Sequence, residues 1–174
     1  MRMQALLSVE RKLAALEDGL VMVLVAIIAL ILGAGVLFRY ILNDPLTWSE
    51  EFVVTLFVWS VMLGVPSALR ARMHIRIDAL ILRLNTAARR VAGVLAFSAG
   101  GVILVAAIYA GWQHTQGVWS SQTPMLGYSM GWIFISMPIG FALTLFHGAV
   151  IFFDEGPDAV FRNATESVID AAET

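Results

Sequence analysis

A run of 63 residues, 91–153, contains no Asp, Glu, Lys or Arg. A helix that crosses about 30 Å of hydrocarbon needs about 20 residues, so this run is long enough for two crossings. A polar segment at 113–125 divides the run, and we expect the chain to turn there. The run therefore predicts a hairpin of two transmembrane helices, at 91–112 and 126–153.

Two shorter runs, residues 19–38 and 52–69, are also uncharged, and they predict transmembrane helices at 19–40 and 49–69. Charged residues make up 14% of the chain, against about 25% in soluble domains, and 59% of the residues are hydrophobic. The sequence thus predicts an all-α integral membrane protein with four transmembrane helices. With 174 residues it is too short to add a separate catalytic domain, and we predict that it is not an enzyme.

Two segments have the pattern of interfacial amphipathic helices. Residues 1–18 carry three basic side chains and apolar residues at helical spacing, and residues 70–90 carry six arginines beside a narrow apolar stripe. We expect both to lie on a membrane surface, where the basic residues would meet anionic lipids. The tail, 154–174, holds six acidic residues, and no role is assigned to it.

The distribution of Lys and Arg predicts the orientation of the chain. Ten of the 11 lie in the N-terminal segment, between the second and third helices, or in the tail, and only Arg39 lies on the other side. Basic residues concentrate in cytoplasmic connections. Both termini are therefore predicted to be cytoplasmic, and the loop at 113–125 periplasmic.

Charged residues flank the turn between the first two helices. Arg39 is expected to pair with Glu50 or Glu51 and to join the outer ends of these helices. The alternative is that both carboxylates are solvated and stabilise the start of the second helix. The spacing from Thr47 to Glu50 also predicts a capping box there.

Trp59 lies near the middle of the second transmembrane helix. It shares a helical stripe with Glu51, Thr55 and Met62. An indole N–H so far from water requires a hydrogen-bond acceptor, which favours a stripe that faces protein over one that faces lipid.

Arg70, His74 and Asp78 are spaced four residues apart and would share one face if the second helix continued. We interpret Arg70 as an anchor to the anionic leaflet, and His74 and Asp78 as a local hydrogen-bonded pair. A metal site would need a third ligand, and none is apparent. His147 is expected to be a satisfied or snorkelling histidine, and the alternative is an axial haem ligand together with His74.

No charged residue lies in the middle of any predicted transmembrane helix, where proton-coupled transporters place their ionisable groups. A sodium-coupled transporter could bind its ion through unwound helix backbone instead, but that architecture needs paired interrupted helices in repeated halves, and the sequence has no internal repeat. A self-sufficient transporter is therefore disfavoured. A subunit that depends on a partner and a haem-binding anchor of a respiratory complex both remain open.

The stretch from Arg39 to Asp78 resembles one membrane protein family. The residues that carry this resemblance are Arg39, Tyr40, Asn43, Trp48, Glu50, Glu51, Trp59, Gly64, Arg70, His74 and Asp78. They are similar in order and spacing to the small membrane subunit, the Q or DctQ-like subunit, of tripartite ATP-independent periplasmic (TRAP) transporters.

This resemblance implies a non-catalytic scaffold in the bacterial inner membrane. Its partners would be a large M subunit that carries the substrate and sodium sites, and a periplasmic binding protein that delivers an organic acid. No cofactor, metal, substrate-binding residue or nucleic acid is implied. The residues expected to serve structure or partner contacts are Arg39, Trp48, Glu50, Glu51, Trp59, Arg70, His74 and Asp78.

Overall fold

A computed structural model describes residues 2–71 and 86–157 of the chain. Its helices are α1 (Arg2–Leu37), α2 (Thr47–Arg70), α3 (Thr86–Val118), α4 (Gly131–Phe134) and α5 (Ser136–Glu155), and a π-helical turn, Phe38–Leu42, follows α1. Four stretches are long and apolar enough to cross a membrane: α1 with the start of the π-helical turn, α2, α3, and α4 with α5. The predicted all-α fold with four transmembrane helices is confirmed.

The surface helix predicted at 1–18 and the transmembrane helix predicted at 19–40, into which it was expected to run, form one helix in the structure. α1 runs without a break through Asp18 and, with 36 residues, is about 54 Å long. The prediction placed a boundary at Glu17 and Asp18 because charges usually mark the end of a membrane crossing. In the structure these two carboxylates bind an arginine on α2, so the helix has no reason to end there.

The turn after α1 closes through a left-handed residue. Asn43 has φ 52°, a conformation that asparagine tolerates better than most residues, and its N–H donates to the carbonyl of Phe38. The N–H of Asp44 donates to the same carbonyl at 3.1 Å. α2 therefore starts close beside the end of α1 and runs back along it.

The predicted capping box at Thr47 and Glu50 is wrong. Thr47 is the first residue of α2, and the N-cap is Leu46, which has no side chain able to accept a hydrogen bond. The hydroxyl of Ser49 instead donates to the carbonyl of Leu46 at 2.7 Å.

The second hairpin turns later than the sequence indicates. α3 extends to Val118 instead of 112, because Thr115, although polar, is buried in the helix and donates back to the carbonyl of Gly111 at 2.8 Å. The last crossing begins at Gly131, not 126, and is interrupted at Ile135 between α4 and α5. Proline at 138 has no N–H to continue the α-helical hydrogen bonds at this break.

The helices lie side by side in the order α1, α2, α5, α3. Among the described residues α3 packs against α4 and α5 and has no extensive contact with α1 or α2. Gly140 allows α5 to approach α2 closely, because a Cβ atom there would lie 2.6 Å from the carbonyl oxygen of Met62. This row leaves two broad faces whose apolar side chains are exposed.

The row has two distinct ends. The beginning of α1, the end of α2, the beginning of α3 and the end of α5 share one end, which we call the terminal end. The opposite end, the loop end, contains the turn between α1 and α2 and the loop 119–130.

Candidate functional site

An ionic cluster at the terminal end joins three helices. Arg70, the last residue of α2, forms an ion pair with Glu17 and a second one with Asp18, where Nη2 and Oδ1 are 2.7 Å apart. Glu17 is 1% exposed. Such a buried carboxylate is tolerated when a cation and hydrogen bonds compensate for its lost hydration.

His147 on α5 completes this terminal cluster. It is 0% exposed, its Nδ1 lies 2.8 Å from Glu10 Oε1, and its Nε2 lies 3.1 Å from Glu17 Oε1. Arg70 Nη1 is 3.2 Å from the same Nε2. The expectation of a satisfied histidine is confirmed, and neither ring nitrogen is left to bind a haem iron.

The structure changes the interpretation of Arg70. We expected its guanidinium to face anionic lipid, but it is occupied by two carboxylates of α1. Glu10, Glu17 and Asp18 were not predicted from the sequence as members of the cluster. The signal available for Glu17 and Asp18 was their position at the start of an uncharged run. No basic residue lies one helical turn away to neutralise them, so they needed a cation from another helix.

His74 and Asp78 lie outside the described residues. α2 ends at Arg70, with Ala71 as its C-cap. Within residues 2–71 and 86–157, no group of three His, Cys, Asp or Glu side chains is placed to hold a metal ion.

At the loop end, Arg39 and Glu50 form the ion pair that the sequence predicted. Nη2 of Arg39 lies 3.0 Å from Oε1 of Glu50, and the two side chains are 55% and 75% exposed. An exposed pair of this kind contributes at most about 1 kcal/mol. Trp48, two residues before Glu50 and on another face of α2, packs against Phe52 with ring centroids 6.3 Å apart and remains partly exposed.

Glu51 does not pair with Arg39 and instead binds the opposite hairpin. Its Oε2 accepts hydrogen bonds from the backbone N–H groups of Met125 at 2.8 Å and Leu126 at 3.3 Å. Glu50 and Glu51 of α2 thus bind different parts of the chain, because consecutive residues of a helix point about 100° apart. Glu50 pairs with Arg39 in the turn after α1, and Glu51 binds the loop 119–130.

The loop presents these N–H groups because it folds back on itself. The N–H of Thr123 donates to the carbonyl of Tyr128 at 2.9 Å, and the N–H of Gly127 donates to the carbonyl of Thr123 at 3.1 Å. Gly127 has φ 70°, which favours glycine.

The rest of the predicted stripe on α2 also faces protein. The hydroxyl of Thr55 hydrogen-bonds to that of Tyr128, and the indole N–H of Trp59 donates to the carbonyl of Trp132 at 3.0 Å. Met62 packs on Gly140, as described above. The expectation that Trp59 has a hydrogen-bond acceptor within the protein is confirmed.

Replacing Glu51 with alanine should loosen the loop without unfolding the helices. The N–H groups of Met125 and Leu126 would lose the charged acceptor that holds the loop to α2, and since both contacts are exposed, water would take its place. We expect faster amide hydrogen exchange within 119–130, measured by mass spectrometry in detergent. Glu50→Ala is the matched control, and equal acceleration in both variants would contradict the assignment.

The fold and these contacts define an integral membrane protein. The hydrogen-bonded and ionic groups described above join parts of this chain to one another. Residues 28–155 match the family described as tripartite ATP-independent periplasmic transporters, DctQ component. The chain belongs to this family, and it is a multi-pass protein of the bacterial inner membrane.

Several relatives are similar over most of this chain. The sialic acid TRAP transporter small permease protein SiaQ of Vibrio cholerae is 29% identical over 132 residues, which cover 75% of this chain and 76% of that protein. The C4-dicarboxylate TRAP transporter small permease protein DctQ of Pseudomonas aeruginosa is 30% identical over 129 residues, or 70% of this chain and 59% of that protein.

A third relative is much longer. The sialic acid TRAP transporter permease protein SiaT of Haemophilus influenzae is 30% identical over 116 residues, which cover 67% of this chain but 19% of that protein. The chain is therefore similar to a minor part of a larger permease.

Proposed function

We propose that this chain is the small membrane subunit of a TRAP transporter and acts as a non-catalytic scaffold for a large permease subunit. The observation that carries the proposal is the similarity to SiaT. In SiaT, the segment that is similar to this chain makes up about a fifth of the polypeptide, and the remainder is not similar to it. A covalent connection in one protein is consistent with a stable complex of separate chains in another.

The shape of the chain supports a scaffold. A row of helices has two broad apolar faces, so it can bind a partner through one face while the other faces lipid. The ionic pairs are at the two ends, and no charged residue lies between Glu51 and Arg70 of α2 to serve as an ion or proton site. On this proposal, the substrate and sodium sites belong to the large subunit.

The orientation with both termini in the cytoplasm belongs to the same proposal. It would place the loop end in the periplasm, where a binding protein delivers substrate, and the basic segment 70–90 at the anionic cytoplasmic leaflet. The relatives are named for sialic acid and for C4-dicarboxylates, which are both carboxylic acids. An organic acid is therefore the proposed substrate class.

Reconstitution with a large TRAP permease subunit, ideally one encoded beside this chain, tests the proposal. We expect the two proteins to copurify in mild detergent. Uptake of a radiolabelled organic acid into liposomes, with a sodium gradient and the cognate binding protein, should require both.

The large subunit alone, inserted at equal density, is the necessary comparison. Full uptake without this chain would refute the scaffold role. Uptake by this chain alone would show that it transports by itself.

A further inference from the structure

A groove opens between α1 and α2 near the loop end. It has a volume of about 200 Å³; its deeper part is lined by the apolar residues Ile31, Leu32 and Val36 of α1, and Leu46, the N-cap of α2, lines it near the loop end. Pockets that enclose a small molecule usually measure about 300–1,000 Å³. This groove is too small to enclose such a ligand, but it can hold part of a flexible apolar chain.

Charged and aromatic groups surround the upper part of the same groove. Arg39, Tyr40 and Glu50 line it there. Arg39 is the first charged residue after the uncharged run of α1, so its guanidinium lies where the hydrocarbon of the bilayer gives way to headgroups. Along α1, from the middle of the membrane toward the loop end, the groove lining changes from apolar to charged. A phospholipid changes in the same direction, from its acyl chains to its headgroup.

The pair of charges is open to a ligand. Arg39 and Glu50 contact each other through one nitrogen and one oxygen, and more than half of each side chain is exposed. A guanidinium has five N–H donors and binds phosphate well through two of them. The carboxylate beside it can accept hydrogen bonds from a primary ammonium group.

We propose that this groove binds an aminophospholipid of the phosphatidylethanolamine type. One acyl chain would lie between α1 and α2, the phosphate would contact Arg39, and the ammonium group would contact Glu50. Phosphatidylglycerol offers Glu50 no cation, and the choline group of phosphatidylcholine has no N–H to donate. The adjacent charges of opposite sign thus select a zwitterionic headgroup with a free amine.

The π-helical turn contributes to this arrangement. It contains Arg39 and Tyr40, and it joins α1 to a turn that places Glu50 opposite them. Such turns occur frequently at functional sites. Here the turn brings an arginine from the end of one helix and a glutamate from the start of the next to the same groove.

The test is native mass spectrometry of the full chain, delipidated in mild detergent and titrated with three phospholipids that have identical acyl chains. We expect phosphatidylethanolamine to bind about tenfold more tightly than phosphatidylglycerol or phosphatidylcholine. Arg39→Gln should weaken binding of phosphatidylethanolamine about tenfold. Glu50→Gln should abolish the preference among headgroups.

Two matched controls separate this site from general lipid contact. Arg11→Gln removes an exposed arginine at the terminal end and should leave binding unchanged. Gly35→Leu should fill the groove and abolish the preference, whereas Gly35→Ala should not, since a Cβ there meets only Ser49 Oγ, at 3.9 Å. Thermal melting of each variant verifies that it is folded.

Three results would overturn the proposal. The parent protein could bind all three lipids equally, or Arg39→Gln could bind phosphatidylethanolamine as tightly as Arg11→Gln does. A folded Gly35→Leu variant with unchanged lipid preference would show that the groove is not the binding site.

Discussion

Replacing Arg70 with methionine should lower the free energy of unfolding by about 3–5 kcal/mol. Removal of one partner from a buried ion pair leaves the other charge without compensation, and this costs more than the pair itself contributes. Here the residue left behind is Glu17, which is almost completely buried and also contacts His147. Equilibrium unfolding in mixed detergent, followed by tryptophan fluorescence, measures the loss.

Arg39→Met is the matched control, since it breaks the exposed pair with Glu50 at the other end of the row. Its expected cost is at most about 1 kcal/mol, because water solvates the remaining carboxylate. The double variant of Arg70→Met with Glu17→Met should recover most of the stability lost by the first substitution. Equal losses for the two arginine variants, or no recovery in the double variant, would contradict the role of the terminal cluster.

Gly140→Ala should destabilise the chain by about 1–3 kcal/mol, the usual cost of adding an atom to a packed interface. The new methyl group would lie 2.6 Å from the carbonyl oxygen of Met62 and 3.0 Å from its Cβ. Since one of these atoms is backbone, the added methyl can be accommodated only if α2 and α5 separate. The same unfolding measurement detects this loss.

Gly101→Ala on α3 is the control for this substitution. Apart from the neighbouring backbone of α3 itself, no atom lies within 4 Å of a Cβ at this position, so the variant should be as stable as the parent or more stable by up to about 1 kcal/mol. A Gly140→Ala variant that matched this control would show that the α2 and α5 contact is looser than described.

The features that were predicted correctly depend on local sequence. Uncharged runs between charges give the number of helices, and the turn after α1 is so short that Arg39 and Glu50 must lie near each other. The stripe containing Trp59 follows from helix periodicity. Each of these predictions needs only the distance that a helix or turn covers per residue.

The features that were missed depend on contacts between distant parts of the chain. Glu17 and His147 are 130 residues apart in sequence, and no periodicity indicates that α5 lies beside α1. The predicted end of α3 was also too early, because a polar residue such as Thr115 suggests a loop unless its hydroxyl bonds to a carbonyl of its own helix. The terminal cluster and the boundaries of the second hairpin could therefore not be predicted from the local sequence pattern.

The side-by-side order of the helices has a consequence for how the chain assembles during synthesis. α3 enters the membrane before α5, but it has no extensive contact with α1 or α2 among the described residues. The last transmembrane segment, α4 with α5, must therefore insert between α2 and α3, which are already in the membrane. Only then does α3 have a helix to pack against. A ribosome stalled before residue 131 would leave a packed pair of helices and a third that is joined to them by residues 71–85 but not packed against them.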